Sequence, residues 1–237
     1  MAEKLGILYI VATPIGNLED ITFRALYILK EVYFVYAEDT RVSGKLLAYY
    51  QISKPMRSYR EAMGGPLLQR TIDEISQHLE EGQDIAYVSD AGTPGISDPG
   101  SYLVDNILSK GYQVVPIPGP SSMVTLLSGD GFPAQRPLMV GFLPKKKGHQ
   151  TLMQKLKAVL LSETADSLVF MESPERLLKL LEELQKWQLP LIVGVGRELT
   201  KLFEEIKRGE LDEVMAYFAG QRSIKGEIVL IVRLAVA

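Results

Sequence analysis

Short apolar segments alternate with amphipathic segments along the first half of the chain. Strands are predicted for GILYIVA (Gly6–Ala12), VYFVYAED (Val32–Asp39), DIAYVS (Asp84–Ser89) and YQVVPIP (Tyr112–Pro118). These stretches are apolar almost throughout, which is typical of strands that are buried on both faces of a parallel sheet. The first half therefore predicts an α/β unit in which helices cover both faces of a parallel sheet.

The segments between those strands carry the signals of helix starts and stops. We expect one helix from about Ile21 to Lys30 and a second that begins within TRVSGKLLAYY. A third is predicted over Pro66–Glu80, because proline suits the first turn and the apolar residues that follow share one face. A fourth is predicted to open with Asp98 as its N-cap and Pro99 in its first turn, and to end before Gly111.

A Pro-Gly-Pro segment interrupts this alternation of predicted strands and helices. PIPGPSS (Pro116–Ser122) cannot continue a helix or pair fully in a sheet, so we predict two domains, residues 1–118 and 119–237. Beyond it, strands are predicted for LMVGFL, SLVFME, LIVGVG, KLFEEIKRG and EIVLIVRLAV. Helices are predicted from about Gly148 to Leu161, over PERLLKLLEELQKW after the cap Ser173, and over ELDEVMAYFA. This less regular order predicts a second α/β domain with a mixed sheet.

Composition narrows the classes of function. The 237 residues carry a net charge of −3 and a pI near 5.6, which argues against a globally basic nucleic-acid-binding surface. The chain has no cysteine and two histidines, so disulfides, thiolate nucleophiles and Cys/His metal sites are excluded, and we expect no metal. Cysteine-free composition fits a reducing cytoplasm, where we expect the protein. No apolar run reaches the ~18 residues of a membrane span.

Four glycine-bearing loops follow predicted strands: TPIGN (Thr13–Asn17), SDAGTPGIS (Ser89–Ser97), PGPSS (Pro118–Ser122) and GFLPKKKG (Gly141–Gly148). In open α/β sheets, ligands bind beyond the carboxyl ends of the strands, and glycine lets the backbone approach them closely. Asp90 and neighbouring hydroxyls add directional partners. One such loop alone could be a plain turn, but four favour a shared small-molecule pocket. Neither G-x-x-x-x-G-K-[ST] nor an early G-x-G-x-x-G is present, so a neutral or zwitterionic ligand is favoured over nucleoside triphosphates and dinucleotides.

Eight segments carry a family resemblance in this order: TPIGNLEDIT, AEDTR, VSDAGTPGISDPG, PIPGPSS, GFLPKKKG, ESPERL, GRELTKLFEE and KGE. With them the chain resembles the tetrapyrrole-methylase superfamily of S-adenosylmethionine-dependent methyltransferases. Within it, the chain is most similar to the subfamily that methylates a cytidine 2′-hydroxyl in small-subunit (16S) ribosomal RNA. The resemblance spans almost the whole chain. It breaks at SYREAMGG (Ser58–Gly65), where relatives carry a His- and Asn-rich stretch.

The resemblance implies two α/β domains with S-adenosylmethionine in the cleft between them. It also implies a homodimer, with the small ribosomal subunit or its RNA as partner. Cofactor contacts are implied for Ile15, Ala91, Gly92, Thr93, Ile96, Ser121, Ser122, Phe142 and Glu172, to which the loop analysis adds Asp90.

Candidate acceptor-side residues follow the second predicted strand and the last of the four loops. A ribose hydroxyl is a weak nucleophile, and Asp39, beside Glu38, is the candidate general base, with a helix cap or salt bridge as its alternative role. Candidate phosphate contacts are Arg41, Arg57, Arg60, Arg136, Lys145, Lys146 and Lys147, and Tyr59 is a candidate for stacking on a base. A run of three lysines also occurs on plain solvated surface, so that alternative stays open.

Two rival functions remain at this point. A methylase of a tetrapyrrole or another small molecule on the same fold would need a wide, largely apolar trough, whereas an RNA enzyme would need a basic rim. A non-catalytic, ribosome-associated module that binds the cofactor is the second rival, motivated by the altered Ser58–Gly65 stretch. The lysine run and the subfamily segments favour RNA methylation.

Overall fold

The computed structural model describes residues 4–131 and 134–235. The chain divides into two compact units, one ending at Ser121 and the other beginning at Ser122, which lies within the predicted PIPGPSS boundary segment. No helix in the described ranges combines the length and apolarity needed to cross a membrane. Each unit is a sheet with helices, so the predicted pair of α/β domains is confirmed.

The N-terminal unit is built on a five-stranded parallel sheet with the order β3-β2-β4-β1-β5. Its strands are β1 (Ile7–Val11), β2 (Phe34–Ala37), β3 (Met56–Ser58), β4 (Ile85–Val88) and β5 (Gln113–Ile117). In the centre, Tyr9 of β1 lies opposite Ala86 of β4 on one side and Val115 of β5 on the other. The carboxyl ends of all five strands therefore open onto the same edge of the sheet.

Helices cover both faces of this sheet, as predicted. They are α1 (Phe23–Glu31), α2 (Thr40–Tyr49), α3 (Gly65–Glu80) and α4 (Ser101–Ser109), with short 3₁₀ turns at Leu18–Asp20 and Glu61–Met63. The apolar faces of α3 and α4 pack on one side, where Ile72 and Ile107 join Leu8 and Ile85 in one buried cluster. On the other face, α1 and α2 pack against the alternate residues of β2 and β4.

Two N-terminal elements differ from the sequence prediction. Strand β3 was not predicted, because three residues with a polar majority give no apolar run to detect. Helix α4 does not open at Asp98 and Pro99, as predicted, but at Ser101. Gly100, the N-cap, has a φ of 137°, which no helical residue adopts, so the chain stays in turns up to that point.

The C-terminal unit holds a five-stranded mixed sheet with the order β6-β7-β10-β8-β9, as predicted for its class. Its strands are β6 (Pro137–Phe142), β7 (Ser167–Glu172), β8 (Leu191–Arg197), β9 (Glu205–Glu210) and β10 (Ile228–Leu234). Strands β6 and β7 are parallel, whereas β10 runs antiparallel to both β7 and β8. Among the described strands of this sheet, β6 and β7 are therefore the one neighbouring pair whose carboxyl ends lie at the same edge.

Four helices complete the C-terminal unit: α5 (Ser122–Gly129), α6 (His149–Leu161), α7 (Pro174–Gln185) and α8 (Leu211–Ala219). Helices α6, α7 and α8 bury one continuous core against the sheet, which includes Trp187. Helix α5 packs against β7 and β10 and was not predicted. Its sequence, SMVTLLSG, begins two residues after Pro-Gly-Pro and is only eight residues long, too short for a helical period to stand out.

Candidate functional site

Three loops at the carboxyl edge of the N-terminal sheet are joined by hydrogen bonds. Thr13, after β1, exchanges two backbone hydrogen bonds with Gly92, after β4, with N···O distances of 2.8 and 3.0 Å. The Thr93 hydroxyl donates to the carbonyl oxygen of Pro120, after β5, at 3.0 Å. These loops, which we call the glycine loops (Thr13–Asn17, Ser89–Gly100 and Pro118–Ser121), therefore form one connected surface.

Glycine is required at two positions of the glycine loops. Gly92 has a φ of 75°, and a Cβ added there would lie 3.4 Å from Ile15 Cγ2. A Cβ on Gly119 would lie 2.8 Å from the Cβ of Ala12, closer than side chains approach one another. Glycine is thus favoured at Gly92 by its positive φ and at Gly119 by the close approach of Ala12.

The predicted cofactor residues of the N-terminal unit lie along this surface and differ in their solvent exposure. Ile15 and Gly92 are buried, Ala91, Thr93 and Ser121 are half-buried, and Asp90 and Ile96 are exposed. Polar groups and the 50%-exposed side chain of Ile96 thus stand together at one strand edge. This combination of polar groups and an apolar side chain fits a ligand that has polar ends and an apolar part, as S-adenosylmethionine does.

The glycine loops are bonded directly to the charged residues after β2. The backbone N–H of Asp39 donates to Asp90 Oδ1 at 3.0 Å, and the N–H of Asp90 donates to Glu38 Oε2 at 3.4 Å. Arg60 Nε donates to the carbonyl oxygen of Glu38 at 2.9 Å. The structure therefore brings together the predicted residues Asp39, Asp90 and Arg60, which are far apart in sequence.

Asp39 is the N-cap of α2 and the partner of two arginines. Its Oδ1 accepts from the backbone N–H of Arg41 at 2.9 Å, and its Oδ2 pairs with Arg41 at 2.5 Å and with Arg60 at 3.5 Å. The hydrogen bonds from Arg41 hold the pKa of Asp39 far below its usual range. A carboxylate with so low a pKa is a weak proton acceptor, so these contacts favour the alternative role of Asp39, helix cap and ion-pair partner, over that of general base.

Glu38, next to Asp39, has the opposite electrostatic environment. Partial burial raises the pKa of the Glu38 carboxyl, and this effect outweighs the hydrogen bond from the Asp90 N–H, which lowers it. A raised carboxyl pKa is what a general base needs near neutral pH. Both residues are half-buried, and the sequence contained no signal that Asp39 would pair with two arginines. Within residues 4–131 and 134–235, no group of three or more His, Cys, Asp or Glu side chains is arranged to hold a metal.

Tyr59 is fully buried, so the prediction that its ring stacks on an RNA base is wrong. Its ring packs edge-on against Tyr87 of β4, with 5.2 Å between the ring centroids. Burial raises the pKa of both phenols. The Ser58–Gly65 stretch thus contributes its aromatic ring to the core under the glycine loops.

Glu61, from the same stretch, supports the end of the longest glycine loop. Its Oε1 accepts from the backbone N–H of Gly100 at 2.8 Å and from that of Tyr102 at 3.1 Å. These two groups lie at the start of α4, where the N-cap Gly100 has no side chain to satisfy them. Glu61 therefore acts as the missing cap, a function that sequence reasoning did not identify.

Arg57 does not join the other predicted RNA contacts. It pairs with Glu74 of α3, and its guanidinium carbon lies 5.7 Å from the centroid of the Phe34 ring. Arg41, by contrast, is 83% exposed at its side chain and shares Asp39 with Arg60. Of the three arginines predicted to contact RNA in the N-terminal unit, Arg41 and Arg60 therefore lie together at Asp39, and Arg57 does not join them.

In the C-terminal unit, most of the predicted residues lie at or just after the ends of the parallel strands β6 and β7, whereas Ser122 opens α5 and Arg136 precedes β6. Phe142 is half-exposed at the end of β6, and Lys145, Lys146 and Lys147 are exposed on the loop that follows. Glu172, at the end of β7, is buried, and its Oε1 accepts from Ser173 N–H at 2.7 Å and from Arg176 Nε at 2.6 Å. Arg136 is exposed and its backbone N–H donates to Asp166.

Comparison with known proteins bears on the family and the fold. A model of the family Tetrapyrrole (Corrin/Porphyrin) Methylases matches residues 7–215. The Borrelia garinii subsp. bavariensis protein named Ribosomal RNA small subunit methyltransferase I is 44% identical, over 95% of this chain and 97% of that protein. The Thermotoga maritima protein of the same name is 41% identical, over 96% and 98%. The structure of uroporphyrin-III C-methyltransferase from Thermus thermophilus complexed with S-adenosylhomocysteine matches with a TM-score of 0.61 at 19% identity, over 95% of this chain and 97% of that chain.

Proposed function

The chain belongs to the tetrapyrrole methylase family, and we propose that it transfers a methyl group from S-adenosylmethionine to small-subunit ribosomal RNA. The observation that carries the proposal is the hydrogen bond between the Asp39 N–H and the Asp90 carboxylate. It joins the glycine loops, which suit the methyl donor, to the arginines that suit an RNA phosphate. Donor and acceptor would thereby meet at one edge of the sheet.

The glycine loops would hold the cofactor, whose sulfonium supplies an electrophilic methyl group. Within them, Ile15, Gly92 and Ile96 offer apolar and close backbone contact, and Asp90 and Thr93 offer polar partners. Further contacts are proposed from Ala91, Ser121, Ser122, Phe142 and Glu172. Rigid placement matters because methyl transfer needs the reacting atoms in line at about 3–3.5 Å.

The acceptor is proposed to be the 2′-hydroxyl of a cytidine ribose, as the family segments imply. Glu38 is the better candidate to take the hydroxyl proton, because burial raises its pKa while Asp39 is held ionised by arginines. Arg41 and Arg60 would contact phosphates on either side of that ribose, with Asp39 fixing both guanidinium groups. The Lys145–Lys147 loop would add contacts further along the RNA.

A homodimer in the cytoplasm is also proposed. Its support is a small set of exposed apolar side chains in both units. Phe23 on α1 is 93% exposed, and the adjacent residues Leu202 and Phe203, before β9, are 90% and 70% exposed. Burying such side chains against a second copy of the chain would remove apolar area from water and favour association. Light scattering should give a mass near twice that of one chain.

The function is tested with labelled S-adenosylmethionine and three acceptors: small ribosomal subunits that lack this methyl group, their free RNA, and a porphyrinoid. We expect label in the RNA of subunits or in free RNA, and nuclease mapping should find it on one cytidine ribose. Label in the porphyrinoid alone would support a small-molecule methylase. Cofactor binding without transfer to any acceptor would support the non-catalytic module.

A further inference from the structure

A pocket of about 180 Å³ lies within the C-terminal unit, at the carboxyl ends of the parallel strands β6 and β7. Its lining residues are Leu143, Pro144, Lys145, Lys146, His149, Gln150, Glu172, Arg176, Lys179, Leu180 and Glu183. The crevice beyond parallel strand ends is where α/β sheets bind ligands. We call it the β6–β7 pocket.

Both carboxylates of the β6–β7 pocket are already engaged. Glu172 accepts from Arg176 and from the N–H of Ser173. Glu183 Oε2 lies 2.5 Å from His149 Nε2, while His149 Nδ1 lies 2.8 Å from the Pro144 carbonyl oxygen. A carbonyl oxygen only accepts, so Nδ1 donates, and the bond to Glu183 raises the pKa of His149 and favours the imidazolium that donates from both nitrogens.

Three lysines of the pocket have no such partner. Lys145, Lys146 and Lys179 form no ion pair with any residue in the ranges 4–131 and 134–235, although each lines the same cavity. With Arg176 and protonated His149, five cations thus face two carboxylates. The first turns of α6 and α7 border the pocket as well, and the caps Gly148 and Ser173 make no side-chain hydrogen bond there. Lysines and helix N-termini all favour an anion.

The lining of the pocket suits a phosphate group better than a base or an apolar ligand. None of the eleven lining residues is Phe, Tyr or Trp, so the pocket offers no aromatic ring on which a base could stack. Lysine ammonium groups bind phosphate as point charges and do not read sequence. We propose that the β6–β7 pocket binds one backbone phosphate of the RNA substrate. The proposal rests on the proposed function, because it identifies the anion as RNA.

The test removes the three unpaired lysines together, in Lys145→Ala/Lys146→Ala/Lys179→Ala. The matched control, Lys155→Ala/Lys186→Ala/Lys225→Ala, removes three exposed lysines of the same unit that do not line the pocket. Binding of a small-subunit RNA fragment is measured without cofactor over a salt series. We expect the pocket variant to bind about tenfold more weakly and its salt slope to fall by about one, with little change in the control.

Inorganic phosphate provides a second readout. It should compete with RNA for the wild-type protein and lose that effect in the pocket variant. Equal loss of RNA affinity in the two variants would show that only net charge matters and would overturn the proposal. Unchanged affinity and salt slope in the pocket variant would also overturn it.

Methyl transfer is measured separately, so that the two proposals can fail separately. If RNA binding depends on the pocket but no RNA is methylated, the proposed function fails and the phosphate site stands. If subunits are methylated with the same KM by the wild type and the pocket variant at every salt concentration, the function stands and the phosphate site fails.

Discussion

The two units of this protein prepare a ligand site in different ways. In the N-terminal unit, the glycine loops are held by backbone hydrogen bonds such as the Thr13–Gly92 pair, and by glycines whose conformation or spacing excludes a side chain. In the C-terminal unit, the β6–β7 pocket is defined by side-chain charge on an exposed loop and two helix starts. A backbone-built surface suits one small cofactor of fixed shape, whereas lysines suit a long polyanion that is bound without regard to sequence.

The largest effect on this comparison is expected from adding a side chain within the glycine loops. Gly92→Val combines an unfavourable φ of 75° with a branched side chain against Ile15. We expect S-adenosylmethionine affinity to fall more than 100-fold by calorimetry, while RNA binding by the C-terminal unit is retained.

Gly111→Val is the matched control for this prediction. Gly111 also has a positive φ, 85°, but nothing lies within 4 Å of its Cβ position, and it ends α4 away from the loops. It carries the same backbone strain without the contact to Ile15. Equal loss of cofactor affinity in both variants would mean that strain alone, and not this surface, explains the effect.

The second prediction compares the two carboxylates after β2. Glu38→Gln should lower kcat about 100-fold, within the range for a lost general base, with little change in KM for RNA. Asp39→Asn should mainly raise the KM for RNA, because Arg41 and Arg60 lose their shared anchor. Single-turnover methylation at saturating RNA separates these effects. A larger fall in kcat for Asp39→Asn than for Glu38→Gln would identify Asp39 as the general base.

The third prediction concerns the cap that Glu61 provides to α4. Glu61→Ala leaves the N–H groups of Gly100 and Tyr102 without their acceptor, which should cost about 1–2 kcal/mol of the N-terminal unit's stability. Calorimetric unfolding should show a lower transition temperature. Glu80→Ala, an exposed glutamate of α3, is the control. An unchanged transition in Glu61→Ala would show that the cap contributes nothing.

These cases also show how far the sequence alone could lead. The parallel sheet was predictable because β4 is apolar at every position, and the glycine loops because special residues follow its end. The burial of Tyr59 and the capping by Glu61 were not predictable. The first depends on Tyr87 and the second on Gly100, and both partners lie elsewhere in the chain. Local sequence predicts backbone conformation well, but it does not predict which charged side chains pair. Asp39, which pairs with both Arg41 and Arg60, is an example.

The smallest expected effect is a pH dependence confined to the C-terminal unit. His149 bridges Pro144 and Glu183, and the bond to Glu183 raises its pKa above 6.5. The pocket also presents Lys145, Lys146, Lys179 and Arg176, whose positive charge opposes protonation, and Glu172, which Arg176 already pairs. Because the folded pKa is raised, the stabilisation is complete below the unfolded pKa and is lost as pH rises through the folded pKa.

Trp187, the sole tryptophan, is buried in the C-terminal core, so its fluorescence during urea unfolding reports on this unit. We expect wild-type stability to exceed that of His149→Gln below pH 6.5, by less than about 1 kcal/mol, since the bridged pair is partly solvated. The difference should shrink as the pH rises above 6.5. His78→Gln changes the only other histidine, which lies in the N-terminal unit, and should leave this pH dependence intact. A difference between wild type and His149→Gln that stays constant from acid to alkaline pH would show that the bridge acts through packing. Charge would then not contribute to this part of the C-terminal unit's stability. The contrast between a site built by side-chain charge and one built by backbone hydrogen bonds would be weaker.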